Sequence, residues 1–224
     1  MTIRLVAAAA AAAAICTQAL AHGDVAPQAV DVSTLPPIEG EWLTENPYRA
    51  AAAGEEVWAE ALRVGASGYS QNCARCHGLE AISGGIAPDL RYLEAEEYGD
   101  EWYIERFRSG YTQNGATKMP AFGELLGQEA AWAIRTYVET RPDDRAVEEA
   151  TPELAALRDG LSDGSADGAA AAARLAEIAG GIETLSGAPL ADSAAWRASN
   201  ALQADPAATA QAAEILTVGL SAAK

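Results

Sequence analysis

The run Cys73-Ala74-Arg75-Cys76-His77 constrains this chain more than any other stretch. Two cysteines separated by two residues match the gap between the vinyl groups on one edge of a porphyrin, so each sulfur can form a thioether. A histidine immediately after the second cysteine is then placed to reach the iron. The pattern therefore reads as a site for one covalently attached haem c, with Cys73, Cys76 and His77 holding it. Two other readings use the same residues. A structural zinc site needs a second pair of Cys or His ligands at suitable spacing, and a thioredoxin-like redox pair opens a helix within a βαβ pattern. Neither context occurs elsewhere in the sequence.

The first residues read as a secretory signal peptide. Arg4 supplies a positive start, Leu5 to Ile15 is an apolar alanine-rich run, and Ala19-Leu20-Ala21 is a small-x-small cleavage site. The apolar run is shorter than the roughly 20 residues a membrane span needs. Ile15 before Cys16 also argues against a lipid anchor. Cleavage after Ala21 would deliver a chain beginning at His22 to the periplasm.

That subtraction narrows the ligand list. Of three cysteines, Cys16 leaves with the signal, and of two methionines only Met119 stays. His77 and His22 are the two histidines. Met119 follows a polar stretch, Tyr111 to Lys118, read as a loop that packing would not fill with a thioether. Lone methionines are usually core fillers. Here a soft axial ligand opposite His77 is the favoured reading, with His22 as rival and a vacant sixth position third. His22 could also bind a metal through its amine and ring together.

The formal charge of -17 repels nucleic acid and anionic lipid, and suits basic protein partners or plain solubility. No membrane insertion is expected, and a monomer is expected. Residues 22–53 have no sustained period and are broken by Pro27, Pro36, Pro37 and Pro47, so they read as an extended arm with Trp42 and Tyr48 as anchors. A helix is predicted from Gly54 to Asn72, with Val57, Ala61 and Val64 on one face. Gly65 and Gly68 near its end point to a close approach by another helix, although Gly68 would also permit a break. A middle helix is predicted over Asp100 to Gly110, and an amphipathic helix over Glu124 to Thr140, stopping before Pro142.

The segment Gly65 to Gly78 resembles the N-terminal helix and haem site of class I c-type cytochromes. The resemblance implies an all-α class I cytochrome c fold around one haem, here spanning residues 54–144. It implies that Gly65 and Tyr69 pack against the C-terminal helix, with Trp132 and Tyr137 at the crossing. It implies that the loop Ser83 to Leu90 offers the Pro88 carbonyl to the proximal histidine ring. It also implies that Met119-Pro120 is the distal-ligand loop, making His77 and Met119 the metal ligands.

Further similarity narrows the expected function. His22 to Asp31, Trp42 to Arg49, Gln71 to Leu90, Asp100 to Ile104, Gly110 to Thr112 and Lys118 to Phe122 resemble the cytochrome c-550 type. That type serves periplasmic quinoprotein alcohol dehydrogenases. The resemblance implies a non-enzymatic electron carrier, with a pyrroloquinoline quinone (PQQ) dehydrogenase as donor and an oxidase or second cytochrome as acceptor. A haem-based ligand sensor or peroxidase-like enzyme with a labile sixth site is the alternative. Arg75 and Lys118 should flank the haem edge as a small positive docking spot, or else be merely solvated.

Residues 145–224 lie beyond the resemblance. They are alanine-rich, with stripes at Leu154, Leu157 and Leu161, and at Leu175, Ile178, Ile182 and Leu185. Thr151-Pro152 and Asp205-Pro206 read as helix starts. Four short helices of unknown role are expected, with a disordered tail as the alternative.

Overall fold

The computed structural model describes residues 27–222. The signal segment and His22 lie outside them. The first part of the described chain, through residue 49, is an extended strap. Gln28 N–H donates to Asn72 (2.7 Å), Ile38 N–H to Glu129 (3.0 Å) and Leu43 N–H to Gln128 (3.2 Å). Tyr48 is buried, and Trp42 packs at 6.5 Å from Phe107. The strap ends in a single helical turn, α1 (Ala50–Ala53), rather than continuing extended to residue 53.

Helix α2 spans Glu55–Asn72. Glu55 and Glu56 occupy its first turn, where carboxylates complement the partial positive charge of free N–H groups. Its buried face, Ala61, Val64, Gly65, Gly68 and Tyr69, meets α5 (Gly123–Glu139). A Cβ on Gly65 would collide with the Ala133 carbonyl, and one on Gly68 would press the Ile134 side chain. Both glycines thus permit close helix contact. Helix α3 (Ala74–His77) is one turn, closed by Gly78 at φ +85°, and α4 spans Glu97–Ser109.

Tyr111 to Lys118 is not a loop. It forms an antiparallel ribbon of β1 (Tyr111–Gln113) and β2 (Ala116–Met119). Asn114 and Gly115 lie between them at φ +51° and +75°. Asn-Gly is the dipeptide that favours a tight turn with two left-handed residues, so the ribbon has a local cause.

A buried ionic cluster ties the strap to the helices. Asp100 accepts from Asn46 N–H (2.9 Å), Arg49 (2.8 Å) and Arg135 (2.8 Å), while Arg49 also reaches Glu139 at 2.8 Å. Asp100 and Arg135 are both fully buried, so each depends on the other for compensation.

Four helices follow: α6 (Asp144–Asp163), α7 (Gly168–Gly181), α8 (Ala194–Ala204) and α9 (Thr209–Ala222). Leu154, Leu161, Leu175, Ile178, Leu202 and Leu216 form their own apolar core. Two expected helix starts are corrected. Pro152 lies inside α6, which Asp143 caps by accepting from Arg145 N–H, and the Thr151 hydroxyl donates to the Val147 carbonyl within the helix. Asp205 ends α8 and takes part in a turn before α9 begins at Thr209. The segment between α7 and α8 docks on the end of α5. Asp143 N–H donates to Glu183 O (2.8 Å), Ala95 N–H to Ser186 O (2.9 Å), and the Ser186 hydroxyl to Glu139 O.

Candidate functional site

The site begins where α2 ends. Cys73 N–H closes on Tyr69 O at 2.8 Å, and one turn later His77 N–H donates to Cys73 O at 3.0 Å. Residues three apart on a helical turn share a face, so the backbone places Cys73 and Cys76 on one side of the turn. Cys73 is half-buried and Cys76 exposed.

His77 is buried, and its Nδ1 lies 2.8 Å from the Pro88 carbonyl oxygen. A carbonyl can only accept, so Nδ1 carries the proton and donates, leaving the Nε2 lone pair available to a metal. Burial holds the ring below its ordinary pKa, outweighing the Pro88 bond, and keeps it in the neutral form that a ligand requires. The chain just beyond His77 is fixed by Tyr69, whose hydroxyl donates to Gly78 O at 2.8 Å. Glu80 and Ala81 follow at φ +55° and +64°, conformations that non-glycine residues hold only under constraint.

Met119 is positioned independently, at the end of β2 opposite Tyr111. It is half-buried and packs on the same core as Cys73, Ala74 and Leu126. Gly110, at φ +68°, has no room for a Cβ beside the Met119 carbonyl, which lets α4 turn directly into the ribbon. The structure thus joins His77 to Pro88 directly, and carries Met119 on a separate element resting on the core that Cys73 also touches. Lys118 and Arg75 are both exposed.

This donor set suits haem. It offers two thiols on one side of a turn, a neutral imidazole with Nε2 available, and a thioether on a second element. Leu79 and Ile86, 77% and 82% exposed, bracket His77 and Pro88 with apolar surface that a porphyrin would cover. Among the described residues no group of three or more His, Cys, Asp or Glu side chains is arranged to hold a metal ion, so the zinc reading finds no further ligands.

Sequence reasoning missed several supporting residues. The buried guanidinium of Arg91 bonds Asp89, Asp144 and Pro142 O, and that of Arg141 reaches Glu80 (3.1 Å) and Asp192 (3.2 Å). Apart from Asp89, two residues from Arg91, these partners lie 51 to 61 residues away and leave no local signal. The ribbon was signalled by Asn114-Gly115.

Residues 60–138 match the family model described as cytochrome c oxidase, cbb3-type, subunit III. Cytochrome c550 of Pseudomonas aeruginosa is 55% identical over 122 residues, which cover 54% of this chain and 82% of that protein. Quinohemoprotein alcohol dehydrogenase ADH-IIG of Pseudomonas putida is 32% identical over 83 residues, 37% of this chain but only 11% of the enzyme. Cytochrome c6 of Euglena gracilis is 33% identical over 79 residues, 34% of this chain and 88% of that protein. No solved structure matches the chain significantly. On the strength of the cytochrome c550 match, the chain belongs to the cytochrome c family, an all-α protein that carries covalently attached haem c.

Proposed function

We propose that the protein is a periplasmic electron carrier with a single haem. In this reading Cys73 and Cys76 form the thioethers, His77 and Met119 are the axial ligands, and Pro88 orients the His77 ring. The 2.8 Å approach of His77 Nδ1 to Pro88 O is the observation that carries it. That bond fixes both tautomer and ring plane before any metal arrives.

The bound haem supplies a one-electron couple, which a methionine ligand raises relative to more basic ligands. The protein's own contribution would be to supply both iron ligands, His77 and Met119, from its own side chains. His77 is held by Pro88 and by the Tyr69 bond to Gly78, while the ribbon carries Met119. With His77 and Met119 both committed to the iron, oxygen and peroxide would meet no open position, and little would have to move when the charge changes. Those are the requirements of a carrier rather than of a catalyst.

The donor we propose is a PQQ-dependent alcohol dehydrogenase, with an oxidase or second cytochrome as acceptor. Similarity to segments of quinohemoprotein alcohol dehydrogenases supports an alcohol-oxidising donor, since a related sequence is built into enzymes of that class. The periplasmic assignment rests on the signal sequence and cleavage after Ala21. No helix among the described residues is long and apolar enough to cross a membrane. The test is to mix oxidised holoprotein with a PQQ alcohol dehydrogenase and ethanol and to follow the haem absorption. Reduction that depends on both enzyme and alcohol is expected. Absence of reduction, with the dehydrogenase active towards an artificial acceptor, contradicts the donor assignment.

A further inference from the structure

Arg91 is 3% exposed, and all five of its guanidinium N–H groups have partners. Nε donates to Asp89 Oδ1 (3.0 Å) and Nη2 to Asp89 Oδ2 (2.7 Å). Nη1 donates to Asp144 Oδ1 (2.7 Å) and Pro142 O (3.1 Å), and Nη2 also reaches Asp144 Oδ2 (2.8 Å). Asp89 directly follows Pro88, whose carbonyl meets His77. Asp144 is the first residue of α6, in the part of the chain beyond residue 138, where the family match ends.

The apex of the loop that presents Pro88 is lightly packed. A Cβ at Gly84 or Gly85 would meet nothing within 4 Å, and Ile86 is 82% exposed. Leu90 is buried, but burying a side chain two residues away does not set the direction of a carbonyl. On one side of Pro88 the Ser83 hydroxyl donates to the Ala87 carbonyl, and on the other the bidentate grip of Arg91 holds Asp89, where two parallel N–H···O bonds fix a plane as well as a distance. A buried ion pair adds little net stability over apolar packing, so stability alone is a weak reason for it.

The other side of the His77 loop is held alike. Glu80, three residues after His77, is bonded by Arg141 at 3.1 Å and by the Tyr137 hydroxyl at 3.3 Å. Arg141 is buried and bonds Asp192, in the segment joining α7 to α8, at 3.2 Å. Both flanks of the loop therefore connect through a buried arginine to an acid supplied by the C-terminal helical unit.

We propose that Arg91 is a positioning residue that, anchored by Asp144, holds Asp89 and the Pro88 carbonyl against His77 Nδ1, so that the C-terminal unit tunes the proximal ligand. The proposal rests on His77 being an axial ligand. A firm hydrogen bond makes the imidazole more basic and favours oxidised iron. Loosening it raises the reduction potential.

The test compares full-length holoprotein carrying Asp144→Asn, Asp144→Glu or Glu148→Gln. Asp144 is substantially exposed, and in each variant the buried guanidinium of Arg91 keeps its pair with Asp89. Glu148 is an exposed acid on the same helix, and its loss removes the same charge. Asp144→Asn should raise the midpoint potential more than Glu148→Gln does and should speed amide exchange over residues 83–92. Asp144→Glu should restore both towards wild type. Equal potential shifts in Asp144→Asn and Glu148→Gln, with exchange over 83–92 unchanged, overturn the proposal. Failure of the underlying ligand reading is visible separately, because wild-type NMR spectra would then lack an iron-bound imidazole, which overturns both.

Discussion

Tyr69 and Tyr137 face one another across the α2–α5 crossing with ring centroids 5.3 Å apart. Tyr69 lies one turn beyond Gly65, where the Ala133 carbonyl leaves no room for a Cβ, and its hydroxyl bonds the carbonyl of Gly78. The helix crossing and the residue that follows His77 are therefore one connected structure. The helix runs on from Gly65 into Cys73, and the Tyr69 hydroxyl adds a side-chain link to the far side of His77.

Gly65→Ala tests that connection. The added methyl meets the Ala133 carbonyl, a backbone atom that cannot rotate away, and overpacking of this kind costs about 1–3 kcal/mol. Thermal unfolding of the holoprotein should show a clear loss. Gly180→Ala in α7, where a Cβ meets nothing within 4 Å, should leave the midpoint unchanged or slightly raised.

Asp100→Asn should be more damaging. It removes the charge that compensates buried Arg135 and partly buried Arg49 while the strap's Asn46 N–H still needs an acceptor. Breaking such a buried pair costs about 3–5 kcal/mol. Urea unfolding checks this, with Glu60→Gln as the contrast. The Glu60–Arg63 pair is exposed, and its loss should stay within about 1 kcal/mol.

Acid stability should depend on Asp89. Burial works to raise its carboxyl pKa, but the Arg91 hydrogen bonds outweigh this and hold it below the ordinary 3.8. A carboxyl with a lowered folded pKa contributes stability that is present above its unfolded value and lost as pH falls through the folded one. Unfolding free energy should therefore drop below about pH 4. Arg91→Gln should flatten that part of the curve. An equally steep fall in the variant would show that other carboxylates carry the acid transition.

The haem motif and the two crossing helices were legible because their signals are local. Cys73 to His77 is contiguous, and Gly65, Gly68 and Tyr69 lie within a single helical period. The ribbon under Met119 was hidden by its polar composition, although Asn114-Gly115 is a turn signal. Thr151-Pro152 has the form of a helix start, yet Asp143 opens α6 earlier and the helix absorbs the proline. The arginines that brace the proximal loop could not be read. Arg91 with Asp144 and Arg141 with Asp192 are pairings made by tertiary structure, and nothing in the neighbouring residues marks an arginine that will be buried.

The proposed function turns on whether Met119 would ligate the haem iron together with His77. A spectroelectrochemical titration of Met119→Ala beside wild type tests it most directly. Loss of the methionine ligand should change the absorption spectrum and lower the midpoint potential, since methionine raises it relative to other ligands. An unchanged spectrum and potential in Met119→Ala would contradict the account.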